Sequence, residues 1–138
     1  MSCIIALDVG TKTIGIATGD RVTRLASPHS TLSRKGVRKD TERLNHIATE
    51  LGATAFVVGM PYELDGSEGR SAHVARQIGT AVATAASLPV HYQYERFSTV
   101  EADRRLMEAG HDGRKRRIII EQAAAAVILQ DWLDRAGD

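Results

Sequence analysis

Cys3-Ile4-Ile5-Ala6-Leu7-Asp8-Val9-Gly10-Thr11-Lys12-Thr13-Ile14-Gly15-Ile16-Ala17-Thr18 sets an apolar run against a carboxylate, then a glycine-bearing turn, then a second β-branched run. The spacing predicts a buried strand over Cys3 to Leu7 and a neighbouring strand over Thr13 to Thr18, because short apolar and β-branched segments bounded by turn residues favour extended backbone. Asp8 then stands at a strand end, followed by glycines that let the backbone turn and approach a ligand closely. A carboxylate so placed suits a divalent cation beside a phosphate. It equally suits a hydrogen-bond acceptor in a strand-turn-strand corner.

Working outward, Thr23 to Thr31 reads as a third strand, ending at a basic turn over Arg34 to Lys39. Leu44, Ile47, Ala48 and Leu51 recur with helical spacing, and Gly52 stands where that helix would stop. Ala55 to Gly59 is continuously apolar, as expected of a strand buried on both faces, and is read as central in the sheet. Ser71 to Ser87 is alanine-rich with Val74, Ile78 and Val82 on one face, and Pro89 opens a short strand over Val90 to Tyr94. That is a β-α-β unit with parallel strands. Ser98 and Glu101 form a capping box for a helix running to about Met107, with Gly110 as its stop. A final helix, Ile118 to Leu133, carries Ile119, Ala123, Ala126, Val127 and Trp132 among its apolar positions, with Gln130 and Asp131 facing solvent. The order predicts one α/β domain over residues 1–138: a ribonuclease H-like mixed five-stranded sheet, three antiparallel strands followed by parallel ones, flanked by helices.

The bulk properties agree with that reading. A chain of 138 residues is sized for one self-sufficient core, and 43% hydrophobic with 25% charged residues is ordinary for a globular domain. Cys3 is the single cysteine, so no internal disulfide is expected, and the N-terminus lacks the basic and apolar regions of a secretion signal. No window approaches the roughly 20 apolar residues of a membrane span. A cytoplasmic protein without membrane association is expected. The net charge of +1 is weak, yet between Arg104 and Arg117 six basic residues face two acidic ones, a local +4 able to hold phosphates.

Other segments could carry chemistry. Gly59 to Gly69, with Asp65, Gly66 and Ser67, lies between a strand and a helix, where amides and a helix N-terminus can receive a phosphate; such a loop can also be a plain turn. Glu95 and Arg96 follow the fifth strand; Glu95 could share a metal with Asp8 and Arg96 could contact a phosphate, or the two could form a solvated ion pair. Glu121, in the first turns of an apolar helix, needs a partner if it faces the sheet, or else simply favours the helix dipole. The five histidines show no paired ligand spacing, which argues against zinc, and neither a phosphate-binding P-loop nor a serine nucleophile elbow occurs.

With these segments in place, the chain resembles the YqgF/RuvX family, whose members are described as Holliday junction resolvases and as pre-16S rRNA processing nucleases. The resemblance runs from Ile4 to Leu133. It rests on Leu7 to Lys12, Gly15-Ile16-Ala17 with Asp20, Val58 to Pro61 with Asp65 to Gly69, Glu95-Arg96 with Ser98-Thr99, and Ala123-Ala124 with Ile128-Leu129. It implies Asp8, Glu95 and Glu121 as catalytic ligands of Mg²⁺ or Mn²⁺ in a two-metal phosphodiester hydrolysis. Lys12, Arg96, Arg114, Lys115, Arg116 and Arg117 would position the nucleic-acid backbone.

Two positions depart from the family pattern, which has Asp where this chain has Tyr94 and again where it has Glu121. Neighbouring strand residues point to opposite faces, so Glu95 is the member of its pair expected to face Asp8. The expected substrate is the 5′ end of precursor 16S rRNA, with branched DNA as the alternative and a non-catalytic nucleic-acid-binding module as a different class. An actin-like ATPase reading of the Asp8 motif is disfavoured, since those proteins close two such domains on a nucleotide. Cutting both strands of a junction would call for a homodimer.

Overall fold

The computed structural model describes residues 3–61, 69–95 and 113–136, with the backbone alone at 95, 113–118 and 136. The opening segment folds as a hairpin: β1 (Cys3–Val9) runs antiparallel to β2 (Thr13–Asp20), with Leu7 opposite Ile16 and Asp8 opposite Gly15. β3 (Ala26–Ser33) continues the meander antiparallel to β2. α1 (Val37–Leu51) then crosses to β4 (Ala55–Pro61), parallel to β1, and α2 (Arg70–Ala86) crosses to β5 (Val90–Glu95), parallel to β4. α3 (Gly113–Ala136) follows. The sheet order is β3-β2-β1-β4-β5, the mixed five-stranded architecture expected.

Strand alternation divides the core in two. Ile5, Leu7, Val9, Ile16, Phe56, Val58 and Met60 pack against Leu44 and Ala48 of α1 and Ala75, Ile78 and Val82 of α2. On the other face, Ile4, Ala6, Ala17, Ala55 and Val57 meet Ala125, Ile128, Leu129 and Leu133 of α3. Each large side chain so buried contributes about 1.5–3 kcal/mol relative to exposure. The second face holds mostly alanines, so α3 lies close to the sheet. Among the described residues, no helix is long and apolar enough to cross a membrane.

β4 is interior and buried on both faces, as expected, and lies beside β1, because the hairpin occupies one side of β1 and the crossover places β4 on the other. Several expectations are corrected. The basic turn is shorter than expected: α1 begins at Val37, which packs on the first core, so Arg38 and Lys39 are helical and Gly36, at φ 112°, makes the turn. Gly52 ends α1 in the left-handed conformation, as its position suggests.

The last helix starts at Gly113 rather than near Ile118, since arginine, lysine and isoleucine between them present no breaker. Its inward stripe is Ile120, Ala124, Ala125, Ile128, Leu129 and Leu133, leaving Ile119 and Val127 exposed. Gln130, half-buried, also does more than face solvent: its side-chain oxygen accepts from the Ala26 amide (3.0 Å) and its nitrogen donates to the Arg24 carbonyl (2.8 Å), pinning the β2–β3 turn. The helix expected from the Ser98–Glu101 capping box to Met107, with its stop at Gly110, lies outside the described residues.

Candidate active site

Asp8 occupies the α3 face of β1, in alternation with Ile4 and Ala6, near the edge where the parallel strands end. Opposite it in register stands Gly15. A Cβ at Gly15 would collide with the backbone carbonyl of Glu121, so the absent side chain is what lets α3 descend onto the sheet at this point. Gly19 and Gly59 play the same part further along, beneath Leu129 with Leu133 and beneath Ile128. The glycine at 15 therefore serves helix packing, not ligand approach as the sequence suggested.

That close descent brings the Glu121 side chain into hydrogen-bonding contact with Asp8. Burial, then the Glu121 charge, then the hydrogen bond push the Asp8 carboxyl well above the ordinary carboxylate range. Two acids in contact at a half-buried strand end repel one another when both are ionised. They can be relieved by a shared proton or by a cation, and their hard oxygen donors suit Mg²⁺ or Mn²⁺. The structure thus joins two of the three acids singled out from sequence.

For the third, the register decides the face. Gly59 is level with Gln93, Met60 with Tyr94 and Pro61 with Glu95, while Leu7 is level with Val58. Position 95 therefore belongs to the α3 face that bears Asp8, two strands away and further toward the C-terminal edge. Its side chain lies outside what the structure describes, and among the described residues no group of three metal-ligating side chains converges. Tyr94 takes the opposite face, where the Arg76 guanidinium donates to its hydroxyl oxygen at 3.1 Å.

Lys12 is exposed in the loop that follows Asp8. The Arg114 to Arg117 run occupies the first turns of α3, upstream of Glu121, with side chains outside the description, as are Arg96 and the Asp65 to Ser67 loop. Asp20 is no candidate for the site: at the far end of β2 it accepts from the Val22 and Thr23 amides at 2.6 and 3.2 Å and closes a turn. Sequence reasoning passed over Gln93, 2% exposed and in the same lateral row as Gly59. A polar residue at an inward position of a strand was the available signal.

The model of the family RuvX: Holliday junction resolvase matches residues 2–135. A relative from Cereibacter sphaeroides (strain ATCC 17025), named "Putative pre-16S rRNA nuclease", is 42% identical over 132 residues, spanning 96% of this chain and 82% of the relative. One of the same name from Moorella thermoacetica is 40% identical over 134 residues, spanning 97% and 96%. Among solved structures, T. thermophilus RuvC in complex with Holliday junction substrate aligns over 99% of this chain and 97% of that one, with a TM-score of 0.58 at 14% identity, a likeness of fold. With a family match spanning nearly its whole length and relatives at about 40% identity, the chain belongs to the RuvX family.

Proposed function

We propose that the protein is a cytoplasmic, divalent-metal-dependent endonuclease that hydrolyses phosphodiesters in precursor 16S rRNA. The observation that carries this is the contact between the Asp8 and Glu121 carboxyls at the C-terminal edge of the sheet. Two like charges held together where burial already disfavours ionisation are costly unless a cation is to sit between them. The names of the relatives support the choice of RNA.

Asp8 and Glu121 are the residues that would hold Mg²⁺ or Mn²⁺, with Glu95 completing the set from β5. When bound, such ions lower the pKa of a water for in-line attack and neutralise charge on the leaving oxygen. The protein's own part is placement. Gly15 sets the depth of α3 and thereby the separation of the two carboxylates. Lys12, Arg96 and the Arg114 to Arg117 run hold flanking phosphates, which fixes the register of the strand without reading its sequence.

The test is cleavage by the purified protein, in Mg²⁺ and in Mn²⁺, of an RNA spanning the 5′ end of 16S rRNA and of a four-way DNA junction of matched length. Faster cleavage of the RNA is expected. Preference for the junction would transfer the activity to branched DNA and call for a homodimer presenting two sites. Binding of both without cleavage in either metal would make the chain a binding module.

A further inference from the structure

The sequence marked Arg34 only as the start of a basic turn, yet its side chain is largely buried, with 12% exposed, and Asp40 is completely buried. Arg34 Nε donates to Asp40 Oδ2 at 3.0 Å, while Asp40 Oδ1 accepts from the Lys35 amide at 2.9 Å and lies 3.7 Å from Arg43 Nη1. A buried ion pair of this kind is a poor source of stability, since desolvation offsets most of its attraction. Its other bonds show what it organises. Arg34 Nη1 donates to the Gly10 carbonyl at 3.3 Å, and the Arg34 amide donates to the Lys12 carbonyl at 2.8 Å. The Gly10 amide in turn donates to the Thr13 carbonyl at 2.8 Å. The loop between Asp8 and β2 is therefore gripped on both sides of Thr11 by one residue, itself anchored to α1.

We propose that the Arg34–Asp40 pair is a positioning device that holds the Gly10–Lys12 loop so that the Lys12 ammonium receives a phosphate flanking the one cut at Asp8. The inference rests on the nuclease reading and deepens it. Val9 is level with Ile14, so the Gly10–Lys12 turn projects from the end of β1 that bears Asp8 and sets Lys12 beside that end. A lysine has many rotamers and little preorganisation of its own. A rigid backbone beneath it is what turns a diffuse charge into a fixed contact. Arginine suits the anchor because its planar fork serves the Asp40 carboxylate and the Gly10 carbonyl together, which a lysine ammonium at position 34 would not.

The test pairs Lys12→Ala with the double substitution Arg34→Met and Asp40→Leu, which removes both buried charges and so leaves neither unpaired. Amide hydrogen exchange is followed at Gly10 to Thr13, and binding of a fluorescein-labelled single-stranded RNA is followed by anisotropy across a salt series in Ca²⁺. Lys12→Ala alone should lower the salt slope by about 0.7, the value of one phosphate contact on a single strand. The double substitution should leave the protein cooperatively folded, speed exchange in the loop at least tenfold relative to amides elsewhere in the sheet, and lower the slope by the same amount. Adding Lys12→Ala to it should then change nothing further. Additive slopes, or exchange in the loop as slow as wild type, would overturn the positioning role while leaving the nuclease reading intact. Wild-type protein that binds no RNA at all would overturn both.

Discussion

Substituting Gly15 by alanine probes the packing that creates the candidate site. A Cβ built at Gly15 falls 1.9 Å from the Glu121 carbonyl oxygen, and an ordinary contact needs about 3.4 Å, so α3 must withdraw by about 1.5 Å. The obstacle is helix backbone and cannot rotate aside. At Gly59, by contrast, the obstructing atom is the mobile end of Ile128, so Gly59→Ala is the matched control. Overpacking of this sort costs about 1–3 kcal/mol, roughly 4–12 °C in Tm for a chain of this length. The functional loss should be larger in proportion, since a misplacement of about 1 Å in a catalytic group can cost on the order of 100-fold in rate. Separation from Glu121 also breaks the hydrogen bond and weakens the charge repulsion that raise the Asp8 carboxyl, so the acid limb of the pH–rate profile should move to lower pH. Single-turnover cleavage at saturating Mn²⁺ across pH, alongside thermal melts of Gly15→Ala and Gly59→Ala, reads all three effects. A folded Gly15→Ala protein with the wild-type rate and an unmoved acid limb would show that the depth of α3 does not set the Asp8–Glu121 contact.

Glu95→Gln should abolish cleavage while Tyr94→Phe leaves it within a few-fold of wild type, because the register puts the two on opposite faces and Tyr94 meets Arg76 of α2; kcat/KM for each variant decides. Glu121→Gln should lose cleavage and Mn²⁺ affinity together, whereas Glu121→Asp, with a side chain one methylene shorter, should keep partial activity with a changed preference between Mg²⁺ and Mn²⁺, as read by calorimetry and cleavage. In metal-free protein the raised Asp8 carboxyl favours folding in its protonated form, so its contribution is fully present below the ordinary carboxylate pKa and lost as pH rises through the raised one; Glu121→Gln should flatten that dependence in melts run from pH 4 to 8. Replacing Arg114, Lys115, Arg116 and Arg117 by alanine should weaken RNA binding and lower its salt slope by about 0.7 for every phosphate these side chains neutralise, measured by anisotropy.

The meander of the first strands, the β-α-β unit and the place of Asp8 were legible because each is local: an apolar run, a turn and a β-branched run define a hairpin with its acid at the end. Alternation likewise separated Glu95 from Tyr94. What escaped the sequence is the meeting of distant segments. Gly15 reads as a turn glycine until α3 is laid across it, and the inward stripe of α3 cannot be told from its neighbours in a helix where Ile118 to Ile120 and Ala123 to Val127 are apolar all round. Gln130 reads as solvent-facing until the β2–β3 turn brings the Ala26 amide and the Arg24 carbonyl within its reach. Arg34 and Asp40 look like surface charges, because their burial depends on the first turn of α1 closing over the Gly10–Lys12 loop.

Whether Asp8 and Glu121 form a cation-dependent phosphodiesterase centre is decided by the Mn²⁺ dependence of RNA cleavage by wild type and by Asp8→Asn at neutral pH. Asparagine keeps the shape of the side chain and removes the charge. The expected result is saturable, Mn²⁺-dependent cleavage in wild type and none in Asp8→Asn, whose RNA binding is unchanged or tighter because one repulsion of phosphate has gone. Wild-type cleavage rates from Asp8→Asn at saturating Mn²⁺ would contradict the account and place the chemistry elsewhere on the molecule.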